Sequence, residues 1–279
     1  MDYLTSVVSF PRLGITLSIS PVAVHIGSKP IYWYAIIILC GFIAGLLLVT
    51  SGSEKRGLKK DHVWDIALSG IIFGILCARI YYVIFSWSEY KSNLSDIFKI
   101  WEGGLAIYGG VIGGVISTCI YSRVKRINLL NALDVCCIGL LLGQAIGRWG
   151  NFFNCEVYGG VTASLFGMSI NGADPVRPLF LYESLWSLIG VIVIALLRDK
   201  KTKNGQVMCL YLFWYSIGRL FLEGLRDPEY ILYLIPGKLG ISQAVAVLFI
   251  ILSVAGFIFV TRSDKEYFKP VPPITEAAK

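Results

Sequence analysis

Charged and amide side chains are concentrated in one short stretch, GRWGNFFNCEVYG, which spans residues 147–159 and follows an apolar run. The stretch holds Arg148, Asn151, Asn154 and Glu156 between three glycines. The planar guanidinium of an arginine binds a phosphate through two parallel hydrogen bonds. A nearby carboxylate can orient that arginine or accept a proton, and the amides can hydrogen-bond to either group. The stretch therefore predicts a site for an anion.

A second group of charged residues follows a helical spacing near residue 220. At 100° per residue, Arg219, Glu223 and Arg226 fall within about 60° of one another on a helix. Such a stripe is costly in lipid unless its members are paired or hydrated. One interpretation is an Arg–Glu–Arg network that joins this helix to a neighbour, and the other is an anion site. Arg148, which lies independently beside the end of another apolar segment, favours the anion site.

The composition is that of a membrane protein. Of the 279 residues, 56% are hydrophobic and 15% are charged, whereas a soluble globular protein has roughly 25% charged residues. The mean hydropathy of +0.69 places the chain among polytopic membrane proteins. The net charge of +7 arises largely in short loops between apolar segments. It therefore indicates membrane topology, and no nucleic-acid partner is expected.

Seven stretches approach the length of about 20 apolar residues that is needed to cross a bilayer. They are approximately 31–51, 63–86, 104–121, 129–146, 179–197, 206–223 and 241–261. The loops between these stretches are alternately rich and poor in basic residues. The basic residues are concentrated in three loops and a tail, at 54–62, 122–128, 198–205 and 262–279. By the positive-inside rule, we expect the N-terminus outside the cell and the C-terminal tail in the cytoplasm.

Most polar residues of these spans are predicted to lie at one depth, in the outer leaflet. They are Tyr34, Arg79, Tyr108, Arg148, Tyr182, Glu183, Arg219, Glu223 and Arg226. Asp134 is expected near the cytoplasmic end of its span. The pattern predicts a polar, cationic pocket that is open to the outer leaflet. An amphiphile with an anionic head group would fit it, and phospholipid is the abundant one.

The segments outside the membrane are predicted to form a small cap, built from residues 1–30 and 148–178. Residues 15–26 alternate apolar and polar side chains as a half-buried strand does, with a break at Pro21. Residues 89–101 mix aromatic, aliphatic and charged side chains, which suits a helix lying in the interface plane.

The expected fold class is an all-α polytopic membrane protein, with seven transmembrane helices and a cap that contains short strands. We expect residues 1–279 to form one integral membrane domain. The seven cysteines lack metal-ligand spacing and the histidines number two, so no metal site is expected. Gly113 and Gly114 are expected to allow close helix approach. The seven tryptophans mostly lie near span ends, as in an aromatic belt, and no chemistry is predicted for them.

The stretch at residues 147–159 resembles the signature of the prolipoprotein diacylglyceryl transferase family, G-R-x-G-N-F-x-N-x-E-x-x-G. Its eight fixed residues occur here in order across thirteen positions. Further segments resemble the same family in the same order, so that the resemblance runs from about residue 10 to residue 260. These segments are SPVAV (20–24), YWYA (32–35), WEGGLAIYGG (101–110), RPLFLYE (177–183) and GRLFLEGLRDP (218–228).

The resemblance implies an enzyme of the bacterial cytoplasmic membrane with two substrates, phosphatidylglycerol and a prolipoprotein signal peptide. The diacylglyceryl group of the lipid would move to the thiol of the lipobox cysteine, forming a thioether and releasing glycerol 1-phosphate. No metal or nucleotide cofactor is implied. The family's functional positions correspond to Tyr34, Arg148, Asn151, Glu156, Gly159, Arg219, Glu223 and Arg226.

One position departs from the family pattern. Many members have a histidine where this chain has Tyr108. A tyrosine, with a pKa near 10, is a poor base at neutral pH. Either the base lies elsewhere or Tyr108 orients a group of the substrate.

The roles that we expect follow from these residue types. Arg148 and Arg219 would bind and stabilise the phosphate, while Glu156 would orient an arginine or accept the thiol proton. With Tyr108, these are the candidate catalytic residues. The candidate substrate-binding residues are Tyr34, Asn151, Asn154, Gly159, Tyr182, Glu183, Glu223 and Arg226. Cys155 is not expected to be a nucleophile, since a thioether to the enzyme would be a dead end.

Two other functions would use similar residues. A membrane acyl- or phosphatidyltransferase would use the same anion pocket, but it usually carries an HxxxxD pair or an aspartate-rich metal motif, which the sequence lacks. A phospholipid transporter or flippase would line a path with polar residues at several depths. In the cytoplasmic half, the sequence offers only Asp134. No internal repeat is visible, which also gives a transporter little support.

Overall fold

The structure is a computed structural model that describes residues 5–198 and 202–263. These residues are mostly helical, with eight α-helices and seven short strands. The helices are α1 (Trp33–Ser53), α2 (Lys60–Phe85), α3 (Trp87–Tyr90), α4 (Ile107–Lys125), α5 (Leu129–Phe153), α6 (Leu179–Arg198), α7 (Gln206–Glu223) and α8 (Ile241–Arg262). The strands are β1 (Ser6–Phe10), β2 (Ile15–Ile19), β3 (Val22–Ile26), β4 (Lys29–Tyr32), β5 (Ser169–Ile170), β6 (Tyr233–Ile235) and β7 (Leu239–Gly240).

Six helices within the described residues are long and apolar enough to cross a membrane, namely α1, α2, α4, α5, α6 and α8. The prediction of seven membrane-spanning helices is therefore confirmed, by length and composition, for six helices. Helix α7 forms over the residues expected for the sixth span. It is not among the six because Arg219 and Glu223, together with polar groups elsewhere along its 18 residues, reduce its apolar character. Of the predicted cytoplasmic tail, residues 264–279 lie outside the described part of the chain.

The chain divides into two compact units, which are described separately. The second unit, residues 49–136, contains α2, α3 and α4, and its main contact is between α2 and α4. A Cβ added at Gly113 would collide with the backbone of Phe73, which confirms the predicted close helix approach at this residue. The prediction is wrong for Gly114, where an added Cβ would meet open space.

In the second unit, the segment predicted as one interfacial helix at 89–101 is a series of short helical turns. The buried guanidinium of Arg79 explains this, because it donates hydrogen bonds to five backbone carbonyls at 2.6–3.5 Å. Those carbonyls belong to Asp96, Ile97, Lys99, Gly103 and Gly104. Carbonyls that point inward to one cation cannot also form the ladder of a regular helix.

The first unit contains the described strands, in two two-stranded sheets, β3-β4 and β6-β7, and a three-stranded antiparallel sheet with the order β2-β1-β5. The strand predicted at 15–26 is present as β2 and β3, which are separated at Pro21 as expected. Val8 and Ile19 of this sheet pack against Phe152 and Phe180 in a buried apolar core. The core attaches the sheet to the end of α5 and the start of α6.

Helix α5 extends beyond its predicted end at residue 146 and continues to Phe153. The first residues of the predicted outer loop, including Arg148 and Asn151, are therefore helical. Two glycines of this extension allow close contact with α1: the side chain of Ile38 lies against Gly147, and the ring of Tyr34 covers Gly150. A larger residue at either position would push α1 away from α5.

Two tryptophans lie at the contact between α6 and α7. The aromatic-belt prediction does not hold for them. The rings of Trp186 and Trp214 are stacked, with centroids 4.5 Å apart and planes inclined by 17°. Each indole contacts a glycine of the facing helix, Gly218 or Gly190. The two helices are therefore joined in the half of α7 that leads to Arg219.

Candidate functional site

Glu183, in the second turn of α6, lies among three arginines of the first unit. Its Oε2 atom is 2.6 Å from Nε of Arg148, which projects from α5. Its Oε1 atom is 3.0 Å from Nη2 of Arg226 and 3.5 Å from Nη1 of Arg219. The buried carboxylate thus joins α6 to the end of α5 and to the end of α7. An ion-pair network that joins helices, which was the alternative to an anion site in the sequence, is present.

Glu223 is a second buried carboxylate in the same group. Its Oε2 atom is 3.2 Å from Nη1 of Arg219 and 3.4 Å from Nε of Arg226. We call Arg148, Glu183, Arg219, Glu223 and Arg226 the arginine–glutamate cluster. Three guanidinium groups and two carboxylates leave the cluster with one positive charge in excess, so it favours an additional anion.

The three arginines differ in how much of each side chain is exposed. The exposed fraction is 27% for Arg148 and 18% for Arg219, against 8% for Arg226. Arg148 and Arg219 can therefore reach a ligand, whereas Arg226 is packed inside the cluster. Burial, followed by the positive charge of Arg219, lowers the pKa of Arg226. Arginine nevertheless stays protonated, because its ordinary pKa is far above neutral pH.

The sequence predicted that Arg226 lies on a helical stripe. In the structure α7 ends at Glu223, and Arg226 reaches the cluster from the turn that follows. The backbone around Arg226 pairs with that of Gly159 in an isolated antiparallel bridge. The N–H group of Gly160 donates to the carbonyl of Leu225 at 3.2 Å. A Cβ at Gly159 would collide with that same carbonyl and with the side chain of Arg177. Gly159 therefore allows the backbone contact that holds Arg226.

Glu156 is fixed by two amides from the preceding helix and turn. Nδ2 of Asn151 and Nδ2 of Asn154 each donate to its Oε1 atom at 3.1 Å. The residues on either side, Cys155 and Val157, have φ angles of 51° and 57°. Backbone in this left-handed region is unfavourable for a β-branched residue and is concentrated at functional sites. Burial raises the pKa of the Cys155 thiol, which disfavours its reactive thiolate.

The predicted tyrosines lie in three different settings. Tyr34, at the start of α1, covers Gly150 with its ring, one residue from Asn151. Tyr182 immediately precedes Glu183 on α6 and is half-buried. Tyr108 belongs to the second unit, where its ring centroid lies 6.4 Å from that of Tyr81.

Sequence reasoning missed two serines at the site, one bonded to Arg219 and the other bonded to Trp149, the residue after Arg148. Oγ of Ser242, in the first turn of α8, accepts from Nη2 of Arg219 at 3.2 Å. Oγ of Ser184 accepts from the indole N–H of Trp149 at 3.2 Å. Ser184 directly follows Glu183, so its position next to a predicted site residue was a usable signal. Ser242 had no such signal, because its contact depends on how α8 packs against α7.

Comparisons with known proteins agree with the resemblance seen in the sequence. A family model described as prolipoprotein diacylglyceryl transferase matches residues 21–259. The chain is 43% identical over 235 residues to the phosphatidylglycerol–prolipoprotein diacylglyceryl transferase of Clostridioides difficile, covering 84% of this chain and 93% of that one. It is 42% identical over 272 residues to the protein of that name from Bacillus cytotoxicus, covering 92% and 99%. For the Bacillus velezensis protein, the identity is 41% over 252 residues, covering 86% and 92%.

Proposed function

The chain belongs to the prolipoprotein diacylglyceryl transferase family, and we propose that its arginine–glutamate cluster binds the phosphate of phosphatidylglycerol during the transfer reaction. The chain is accordingly a transferase that moves the diacylglyceryl group of phosphatidylglycerol to a prolipoprotein. The observation that carries the proposal for the site is the excess positive charge of the cluster. Two of its arginine side chains, Arg148 and Arg219, are partly exposed.

The acceptor is the thiol of the lipobox cysteine in the signal peptide of the prolipoprotein. Its sulfur attacks the glycerol carbon of the diacylglyceryl group that carries the phosphate. A carbon–sulfur bond forms, the carbon–oxygen bond breaks, and glycerol 1-phosphate leaves with the electron pair. The thiol gives up its proton to a base of the enzyme or to solvent. Because thiolate is the nucleophile, a nearby excess of positive charge accelerates the attack by favouring ionisation of the thiol.

Arg148 and Arg219 stabilise the negative charge that develops on the departing phosphate oxygen. Donors that are already in place before the reaction need not reorganise in the transition state. Glu183 and Glu223 hold these donors in place, since each contacts two or more of the guanidinium groups. Their negative charges also keep the cluster from retaining the released phosphate too tightly.

Glu156 orients an arginine or accepts the thiol proton, and its two amide donors restrict the carboxylate to one orientation. Tyr34 and Tyr182, which lie beside residues of the site, contact the glycerol hydroxyl groups of the lipid. The role of Tyr108, orientation of a substrate group, is proposed from the family motif alone. Gly159, Asn151 and Asn154 complete the substrate-binding set, with Gly159 acting through the backbone contact that holds Arg226.

We further propose that α7 crosses the bilayer as the seventh span, with the N-terminus outside and the C-terminus in the cytoplasm. Ion pairing supports this assignment, because a paired Arg219 and Glu223 cost less in lipid than isolated charges do. Six apolar helices already indicate a multi-pass membrane protein. On this topology, the chain is an integral protein of the bacterial cytoplasmic membrane, and the described residues 5–30 and 154–178 belong to its outer cap.

The replacement Arg219→Ala tests the phosphate assignment. It should remove about 2–4 kcal/mol of transition-state stabilisation, which corresponds to a loss of about 30- to 1000-fold in rate. The measurement is transfer of labelled diacylglyceryl from phosphatidylglycerol to a lipobox peptide, in membranes with matched amounts of enzyme. Arg12→Ala, an exposed arginine in the turn after β1, is the matched control and should retain the wild-type rate. Transfer near the wild-type rate by the Arg219→Ala variant would refute the assignment.

A further inference from the structure

Helices α6 and α7 contain the same short pattern, Trp-x-x-Ile-Gly. It reads WSLIG at residues 186–190 of α6 and WYSIG at residues 214–218 of α7. In both copies, the glycine follows the tryptophan by four residues, so it lies on the same side of the helix, one turn further along. The pattern therefore places an aromatic ring and a small residue on one face of each helix.

The two copies bind each other reciprocally. The indole N–H group of Trp186 donates to the backbone carbonyl of Trp214 at 3.1 Å. The indole N–H group of Trp214 donates to the backbone carbonyl of Trp186 at 3.0 Å. A Cβ at Gly218 would overlap the ring of Trp186, and one at Gly190 would overlap the ring of Trp214. We call these four residues the tryptophan clasp.

The clasp resists displacement of one helix along the other. Sliding α6 against α7 would lengthen both hydrogen bonds, and an indole N–H without an acceptor is unfavourable in an apolar environment. The stacked rings and the two glycines also set the distance between the helices, since no side chain separates ring and backbone. Register and spacing are thus fixed by the same four residues.

The clasp lies immediately beside the arginine–glutamate cluster. Glu183 precedes Trp186 by three residues, which is about 4.5 Å along the helix axis. Arg219 is the residue after Gly218, against which the ring of Trp186 packs. The contact between Glu183 and Arg219 is already long, at 3.5 Å. A shift of about 1 Å between the helices is enough to break it, because hydrogen bonds weaken beyond this length.

We propose that the tryptophan clasp is a positioning element for the transfer reaction. It fixes α6 relative to α7 and thereby holds Glu183 at the distance that orients Arg219. Trp186 and Trp214 are positioning residues, since they act through the cluster. This inference rests on the proposed function of the cluster.

The test replaces the indoles by phenyl rings, which keep an aromatic side chain and remove the N–H donors. In Trp214→Phe, one of the two hydrogen bonds between the helices is lost. We expect kcat, measured per folded enzyme at saturating phosphatidylglycerol and lipobox peptide, to fall by about 3- to 30-fold. Trp186→Phe should show the same fall, and it serves as the test if Trp214→Phe does not fold. Trp64→Phe, an exposed tryptophan of α2, is the matched control and should leave kcat unchanged.

A double-mutant cycle separates positioning from a general effect on stability. In the Glu183→Gln background, the contact that the clasp protects is already weakened, so adding Trp214→Phe should reduce kcat by less than twofold. Equal fold-losses in both backgrounds, or a wild-type kcat in both phenylalanine variants, would overturn the inference. Those results would leave the proposed function intact. Failure of the proposed function is distinct, because Glu183→Gln and Arg219→Ala would then themselves retain the wild-type rate.

Discussion

Neutralising Glu183 while keeping its shape is the most informative single change in the cluster. In Glu183→Gln, the side chain keeps one acceptor oxygen and gains an NH2 group. The wild-type carboxylate has close contacts to two arginines, at 2.6 Å to Arg148 and 3.0 Å to Arg226. Glutamine can accept from only one of them, and its amide N–H groups must face the donors of the other. One charge-assisted hydrogen bond is therefore lost.

The size of the effect follows from that loss. A hydrogen bond to a charged group contributes about 1.5–3 kcal/mol. If the transition state loses this full stabilisation, kcat falls by about 10- to 150-fold. The excess charge of the cluster simultaneously rises from one to two, which strengthens attraction for the lipid phosphate. The KM for phosphatidylglycerol should therefore not rise, and the defect should appear in kcat.

The assay is transfer of labelled diacylglyceryl to a lipobox peptide by purified enzyme, over a range of phosphatidylglycerol concentrations. The folded fraction is measured by size-exclusion chromatography in detergent, so that rates refer to folded enzyme. Glu229→Gln, an exposed glutamate outside the cluster, is the control and should match the wild type. A kcat within twofold of the wild type, or a rise in KM at unchanged kcat, would refute the reasoning.

Two further predictions concern the second unit. Tyr108→His should remain active if this position only orients a substrate group, and a folded but inactive variant in the transfer assay would contradict that role. Arg79→Ala leaves five backbone carbonyls without their shared donor. It should destabilise the segment 91–104 by about 1–3 kcal/mol, the range for leaving a buried hydrogen-bonding group unsatisfied. Limited proteolysis should then cleave this segment faster than in the wild type or in the exposed-residue control Lys91→Ala, and equal cleavage rates would count against the assignment.

The residues of the cluster were predictable from the sequence because charge in an apolar segment is costly. Arg148, Glu183, Arg219 and Glu223 each lie within or beside a span, where an unpaired charge is unfavourable, so a shared site was the economical explanation. The individual ion pairs were not predictable. Glu183 contacts three arginines only because α6 packs between the ends of α5 and α7, and no spacing along the chain reports that packing.

The errors in the fold also have physical causes. The predicted end of α5 was too early, because the apolar run stops at residue 146 whereas the helix continues through Gly147 and Gly150. In the structure they are helical and make room for the side chains of Ile38 and Tyr34. Arg226 was placed on a helix that ends three residues before it. In both cases, the backbone follows contacts with a distant segment, which local sequence rules do not include.

The tryptophans illustrate the same limit. Trp186 and Trp214 were interpreted as part of an aromatic belt, from their type and approximate position. The repeated Trp-x-x-Ile-Gly spacing was present in the sequence, but its meaning depends on α6 and α7 being neighbours in opposite directions. Only the structure shows that each ring meets the glycine of the other helix.

A structure of the enzyme with bound phosphatidylglycerol tests the central claim most directly. We predict that phosphate oxygens lie about 2.7–3.2 Å from guanidinium nitrogens of Arg148 and Arg219. The reacting glycerol carbon should face a space that a peptide thiol can enter. A lipid phosphate held by other side chains, with Arg148 and Arg219 contacting only Glu183 and Glu223, would contradict the account.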